Sequence, residues 1–396
     1  MSEAGPSGSA GSALSGLLVL DLSRVLAGPF CTMLLADLGA RVIKVEHPEG
    51  GDVTRGWGPP YDPRTGLSAY YLSVNRNKES IALDLATHDG AEAVRRLARS
   101  ADVLVENFPP GGLEKFGLWL AALRKANPRL VTASITGFGR AGPEASAPGF
   151  DLLAQAGAGL MAITGTAETG PTKLGVAVSD LLAGCYCAIG ILAALHGRER
   201  TGRGTHVETD LFSATLASLI NVAQSALMTG EEAVRYGNAH PQIVPYRTFD
   251  ASDGPFVLAV GTDRQFERLA ALVGRPDWAS DVRYRTNGDR VSHRVSLEEE
   301  LSAILRKRPR EEWLARCRDA AIPAGPVRGP LEALLSRTAA ALGVVVSSGG
   351  TRFVASPVRL EGQPGRLAFP PGLDADGTRL REEFGLPGPP ARRGGG

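Results

Sequence analysis

One carboxylate, Asp180, interrupts the small, apolar stretch GVAVSDLLAG (175–184), and sixteen uncharged residues, Leu181 to His196, follow it. Burial disfavours the charged form of an acid, so an aspartate there needs a reason. Two readings are open. As an N-cap, Asp180 would accept the orphan N–H groups of an apolar helix and sit in the favourable field of its dipole. As a covalent nucleophile, it would be held ionised and aimed by the same helix start, with Gly175 and Gly184 leaving room for a bulky thioester. Local sequence by itself favours the cap.

Other candidate chemistry is thin. GFGRAG (Gly137–Gly142) matches G-x-G-x-x-G after the strand-like RLVTASI, but Pro143 and Pro148 stand where a dinucleotide fingerprint needs a helix, and the strand is not the first. A flexible loop for approach to another ligand, or an ordinary glycine-rich loop, fits better. The six histidines (His47, His88, His196, His206, His240, His293) form no H-E-x-x-H or H-x-x-E-H pair. No Cys/His cluster suggests zinc, so no metal is expected. G-x-S-x-G and P-loop motifs are absent. Cys31, Cys185, Cys187 and Cys317 form no C-x-x-C pair, and free thiols in a reducing, cytoplasmic setting are expected.

The elements that must position Asp180 read as βαβ units. Strand runs at 17–23, 41–47, 80–85, 102–107 and 129–135 alternate with helical runs at 29–39, 88–100 and 118–128. This predicts a parallel sheet with ligands at its carboxyl edge. Two long helices follow, from about Asp180 to Gly197 and from about Asp210 to Met228, separated by the short strand THVETD. YRTFDASDGPFVLAV (246–260) reads as a hairpin turning at Ser252–Gly254, with helices at 263–273, 296–306 and 310–320 after it. The expected organisation is a disordered tail over 1–16 and a large α/β domain over 17–229. A smaller α+β domain over 230–330, a return to the large domain over 331–385 and a disordered tail over 386–396 complete it.

Length supports two lobes: 396 residues exceed what one core usually serves. The 43 basic and 42 acidic residues nearly cancel, so no strong field favours nucleic acid or an acidic membrane. The first sixteen residues lack the features of a signal peptide, and the uncharged run Leu181–Leu195 is too short to span a bilayer. A soluble protein acting on small molecules is expected.

With these residues in view, the chain resembles the class III CoA-transferases, the family of formyl-CoA transferase and carnitine CoA-transferase. The resemblance runs collinearly over about 17–330 through LDLSRVLAGPFCTMLLADLGARVIKVEHPEGGDVTR, SVNRNKESIALDL, ADVLVENFPPGGLEKFGL, NPRLVTASITGFGRAGP, FDLLAQAGAGLMAITG, GVAVSDLLAG, GILAALHGRERTGRGTHVE and IPAGPV. It implies a Rossmann-like large domain built from both chain ends, a small domain between, and two ring-like subunits threaded into a homodimer. It also implies that Asp180 is the catalytic aspartate, passing through an aspartyl anhydride and an aspartyl-CoA thioester, with coenzyme A thioester as substrate and no tightly bound cofactor.

The resemblance carries coenzyme A contacts onto Arg24, Leu26, Ala27, His47, Leu83, Asp84, Leu85, Asn107, Phe108, Lys115, Thr136, Gly137, Phe138 and Gly139. Lys115 and His47 stand where formyl-CoA transferase and many relatives have arginine; Lys115 keeps the charge without the bidentate fork. Leu26 replaces a glutamine of formyl-CoA transferase, so oxalate and formate are not expected. GDVTRGWGPP, AYYLSVNRNK and GNAHPQIVPYRTF resemble the succinyl-CoA:glutarate CoA-transferase branch, which implies succinyl-CoA and a dicarboxylate acceptor. Arg24, Arg55 and Arg247 are candidate cations for the far carboxylate. Two alternatives stay open. An acyl-CoA racemase of the same fold is disfavoured because Phe150 replaces its histidine. A non-catalytic coenzyme A-binding protein is disfavoured by an intact Asp180.

Overall fold

The computed structural model describes residues 11–363 and 365–388. The tail readings for residues 1–10 and 389–396 lie outside the described residues. The chain divides into two compact units. The larger takes the described residues up to Met161, Lys173–Glu231 and those from Thr338 on; the smaller takes Ala162–Thr172 and Glu232–Arg337. The contribution of 162–172 to the smaller unit was not foreseen, because it is a short loop segment with no periodicity of its own.

The larger unit is built on six parallel strands: β1 (Leu18–Asp21), β2 (Arg41–Glu46), β3 (Lys78–Ala82), β4 (Val103–Glu106), β5 (Val131–Thr136) and β6 (His206–Asp210), in the order β3-β2-β1-β4-β5-β6. Leu20 on β1 faces Ile43 on β2 and Leu104 on β4 in register. The order reverses beside β1, and in such sheets the crevice outside the strand ends at that point takes the ligand. Helices cover both faces. The crossovers are α1 (Ala27–Asp37), α2 (Ala69–Val74), α3 (His88–Ser100) and α4 (Leu120–Ala126), then α5 (Asp151–Gly157), α6 (Leu160–Ile163) and α7 (Val178–Thr201); α8 (Leu211–Ser218) and α9 (Ile220–Thr229) follow the last strand.

Each face has its own core. On one, Ala27, Cys31 and Leu35 of α1 pack with Ala183, Cys187 and Ile191 of α7 over Val19, Val103 and Val131. On the other, Val94 and Leu97 of α3 and Leu120 and Leu123 of α4 pack over Leu20, Ile43, Ile81 and Leu104. Helix α7 is longer than the uncharged run suggested, and by length and composition it could cross a bilayer. Its inner side is instead packed in this core, and Arg198 near its end is buried. The second long helix expected at 210–228 is two helices bent by 82°. Ile220 has φ +43°, a left-handed conformation that a β-branched residue cannot carry through a right-handed helix.

The smaller unit holds an antiparallel sheet of β7 (Tyr246–Ala251), β8 (Gly254–Ala259) and β9 (Ala324–Pro326). It is surrounded by α10 (Asp263–Leu272), α11 (Asn287–Ser292), α12 (Arg294–Leu305), α13 (Arg310–Asp319) and α14 (Pro330–Leu334). Phe256, Phe266, Trp278, Leu297 and Trp313 form its core. After α15 (Arg337–Ala341), the hairpin β10 (Val345–Ser348) and β11 (Thr351–Val354) and the helix α16 (Gly377–Phe384) return to the larger unit.

That return finishes the sheet. The Asp374 and Asp376 carboxylates accept the N–H groups of Ala82 and Ser80 on the edge strand β3, at 2.8 and 2.9 Å, and Arg381 donates to the Ala82 carbonyl. An exposed edge is thereby covered. Leu380 and Leu386 complete the core beneath, so Leu386 is packed where the disordered tail was expected to begin. At the other end, Leu14 packs on the α1 face and donates its N–H to Leu38, so 11–16 are ordered where a tail was expected.

Candidate active site

A cleft opens outside the ends of β1 to β4, where the strand order reverses. Arg24, His47, Leu83, Asp84, Leu85 and Phe108 line it, six of the positions picked out from the sequence. The Arg24 guanidinium stands 4.7 Å from the Phe108 ring centre, and Phe116 packs edge-on against Phe108. His47 Nε2 lies 4.0 Å from Asp84 Oδ1. The lining therefore offers apolar side chains, the Phe108 ring with the Arg24 guanidinium over it, and acidic neighbours in Glu46, Asp52 and Asp84.

The remaining predicted positions fall elsewhere. Leu26 and Ala27 are buried at the start of α1, and Lys115 is exposed on the short turn Glu114–Phe116. Asn107 does not line the cleft: its amide accepts the Arg24 N–H at 2.8 Å and donates to the Arg24 carbonyl at 2.7 Å. Thr136 ends β5 with a buried hydroxyl that has no partner among the described residues. Gly137 and Gly149 are back to back, for a Cβ on Gly137 would lie 2.4 Å from the Gly149 Cα. The missing side chain at 137 thus admits a neighbouring loop, where the sequence suggested a ligand. Phe138 packs on Phe212.

Asp180 is the third residue of α7, not its cap. Ala177 occupies the cap position and offers no side-chain bond. Instead Asp151, the first residue of α5, accepts the Ser179 N–H at 2.8 Å. The wholly buried Gln155 donates to the other Asp151 oxygen at 2.7 Å, and accepts from the Leu174 N–H in the segment leading into α7. Asp180 itself accepts no hydrogen bond from the described residues. Burial, helped by the charge of Asp151, pushes its carboxyl up to about 7. This corrects the expectation that the helix start holds it firmly ionised: desolvation is the larger effect. Tyr70 lies in the same environment, its phenol raised to about 12 by burial and then by Asp180 and Asp151.

The two flanking glycines have different roles. A Cβ on Gly184 would lie 2.6 Å from the Ala27 carbonyl oxygen, so this glycine brings α7 against the first turn of α1 and leaves no space for a ligand. Gly175 has nothing within 4 Å of its would-be Cβ. Gly184 is four residues after Asp180 and shares its helix face. Asp180 is therefore carried close to the loop that joins β1 to α1.

Beneath that loop lies a charged cluster that sequence reasoning passed over as strand. Asp21 accepts from Lys78 Nζ at 3.0 Å and from Thr32, and Lys44 pairs with Asp52 at 3.0 Å; all four charged side chains are shut off from solvent. Although burial opposes it, the lysines and hydroxyls hold Asp21 at about 2. Arg55 is spent within the same layer, paired with Glu46 at 2.7 Å and lying over Tyr71. Arg247, in the smaller unit, pairs with Glu298 at 2.6 Å. Of the three arginines considered for a substrate carboxylate, Arg24 has no ion pair among the described residues. No group of three or more potential metal ligands occurs among them.

A family model described as CoA-transferase family III matches residues 14–377. The succinate–glutarate CoA-transferase of Agrobacterium fabrum is 46% identical over 318 residues, covering 79% of this chain and 80% of its own. The acetyl-CoA:oxalate CoA-transferase of Acetobacter aceti is 40% identical over 375 residues, covering 94% and 96%. Among solved structures, a CAIB/BAIF family protein from Brucella suis matches with a TM-score of 0.85 at 41% identity, covering 94% of this chain and 99% of that one.

Proposed function

The chain belongs to CoA-transferase family III, and on that premise we propose that it moves coenzyme A from succinyl-CoA to a dicarboxylic acid with Asp180 as nucleophile. The observation that carries the reading is the state of Asp180: half-buried, without a hydrogen bond from the described residues, and titrating near neutrality. A carboxylate so placed is weakly solvated, which favours attack, and it ionises without a strong base. The glutarate in the name of the Agrobacterium fabrum relative supports a dicarboxylate acceptor.

The steps balance without a metal or a redox partner. An Asp180 oxygen attacks the thioester carbonyl, the C–S bond breaks, and an aspartyl–acyl anhydride and CoA thiolate form. The thiolate attacks the aspartyl carbonyl, releasing succinate and leaving an aspartyl-CoA thioester. The acceptor carboxylate attacks that thioester to give a second anhydride and thiolate. The thiolate then takes the acceptor acyl group, restoring Asp180. Coenzyme A would lie in the cleft at the ends of β1 to β4, with its phosphates toward Arg24 and His47. Arg24, not Arg55 or Arg247, is the arginine available to an anion. The threaded homodimer belongs to the same reading: α9 leaves Ile220, Leu227 and Met228 exposed, apolar side chains for a second subunit to cover.

The test is to incubate the protein with succinyl-CoA and a panel of mono- and dicarboxylic acids and to follow new thioesters by mass spectrometry. Transfer to a dicarboxylate, lost in Asp180→Ala, and a hydroxylamine adduct on Asp180 are expected. Transfer surviving in Asp180→Ala would refute the mechanism. Sedimentation of the full chain at twice its monomer mass is expected for the dimer.

A further inference from the structure

Val25 has φ +69°, a left-handed conformation that costs a β-branched residue strain and persists only where the surroundings over-determine it. The surroundings do so through side chains from three places. Ser23 N–H donates to Asp21 Oδ1 at 3.0 Å, and the Ser23 carbonyl accepts from Lys44 Nζ at 2.9 Å. Both backbone groups of Arg24 are taken by the Asn107 amide, at 2.8 and 2.7 Å. The Val25 N–H points to the Asp52 carboxylate, 3.2 Å from Oδ2. Asp52 is in turn fixed by Lys44 and by the N–H and hydroxyl of Thr54. Five successive backbone groups are thus bonded to the side chains of Asp21, Lys44, Asn107 and Asp52.

From this geometry we propose that Ser23–Val25 is a preorganised clamp for coenzyme A, and that Asp52 and Asn107 are positioning residues that hold Val25 left-handed so that Arg24 faces the cleft. This rests on the coenzyme A reading of the cleft given above. Two observations tie the strain to binding. Arg24 and Asp52 both line the cleft, and Leu26, the residue after Val25, immediately precedes α1. If the loop relaxed to negative φ, the Arg24 guanidinium would leave its place over Phe108. A clamp held ready spares the ligand the cost of ordering it. Once released, the competent conformer becomes a minority state and apparent affinity falls by its fraction.

The experiment uses the full-length chain and measures the Kd for coenzyme A together with KM and kcat for succinyl-CoA. Asn107→Ala removes both bonds to Arg24, and Asp52→Asn removes the charge that Lys44 and Val25 share. Each is expected to raise Kd and KM about ten-fold while kcat falls less, the shift that strain of this kind predicts. Glycine adopts positive φ without penalty. Val25→Gly placed in either variant is therefore expected to bring Kd back to within about three-fold of the parent chain, because the clamp then has little strain to oppose. A residue needed only for packing would show no such recovery. Unchanged Kd in Asn107→Ala, or no recovery on adding Val25→Gly, overturns the proposal. If Asp52→Asn unfolds, the half-buried Asn107 pair decides alone. Coenzyme A that binds without any transfer by the parent chain would sink the transferase reading while leaving the clamp to be judged on Kd.

Discussion

Asp151 caps the helix on which Asp180 stands: it accepts the N–H of Ser179 at 2.8 Å, and its charge is the second cause, after burial, that lifts the Asp180 carboxyl to about 7. One aspartate therefore fixes the helix start and tunes its neighbour. On the proposed mechanism the attacking group is the ionised Asp180, so kcat/KM for succinyl-CoA should rise with pH through about 7. Asp151→Asn keeps an oxygen for Ser179 and removes the charge. The acid limb of the pH–rate profile is expected to move to lower pH, with the fold retained. An unshifted limb would show that burial alone sets the ionisation.

The same shift predicts a stability change. Asp180 has a folded-state pKa raised from 3.8 to about 7, so its charged form opposes folding above that pH and costs nothing below 3.8. Asp180→Asn should therefore unfold later than the parent chain at pH 8, by about 1–2 kcal/mol after allowance for partial exposure, and show no gain at pH 4. Denaturant unfolding at the two pH values checks the sign.

Gly184→Ala places a methyl group 2.6 Å from the Ala27 carbonyl oxygen and 3.2 Å from Phe30. The backbone oxygen cannot rotate away. The expected cost is about 1–2 kcal/mol, overpacking outweighing the gain in helix propensity. Because α1 and α7 must separate, activity should fall along with the melting temperature; a stabilised variant would contradict the contact.

Asp21→Ala leaves Lys78 and Lys44 in a buried layer with one acid fewer. Removing one partner of a buried pair costs about 3–5 kcal/mol, and urea unfolding should show a loss of that size. In the parent chain the Asp21 contribution is present above its unfolded value of 3.8 and is lost as pH falls through about 2.

Much of the larger unit was legible because its signals are local. Pro29 in the first turn and Gly39 just past the end mark α1, and the apolar runs at 17–23 and 41–47 hold strands β1 and β2. The nearly unbroken burial of β3 to β5 is what a sheet covered on both faces requires. What could not be read was decided by partners far away in sequence. Asp180 looked like a cap, but the cap is Asp151, nearly thirty residues earlier. Lys44, Glu46 and Lys78 carry no local sign of burial, yet they are paired in the interior with Asp52, Arg55 and Asp21. Arg55 looked like a free cation until Glu46 claimed it. The break at Ile220 carried no glycine or proline to announce it. A covering carboxylate, like a strained φ, leaves no periodic trace.

The covering of β3 by Asp374 and Asp376 also sets an order of events during synthesis. The smaller unit draws almost all its residues from one continuous stretch, Glu232–Arg337, and can close as soon as that stretch leaves the ribosome. The larger unit begins first and finishes last. Its edge strand has no cover, and its core lacks Leu380 and Leu386, until the segment from Asp374 to Leu386 emerges. At usual elongation rates the interval between Glu231 and Leu386 is roughly 8–30 s. For that time the growing chain carries an open parallel sheet, a template for pairing with its neighbours on the same message.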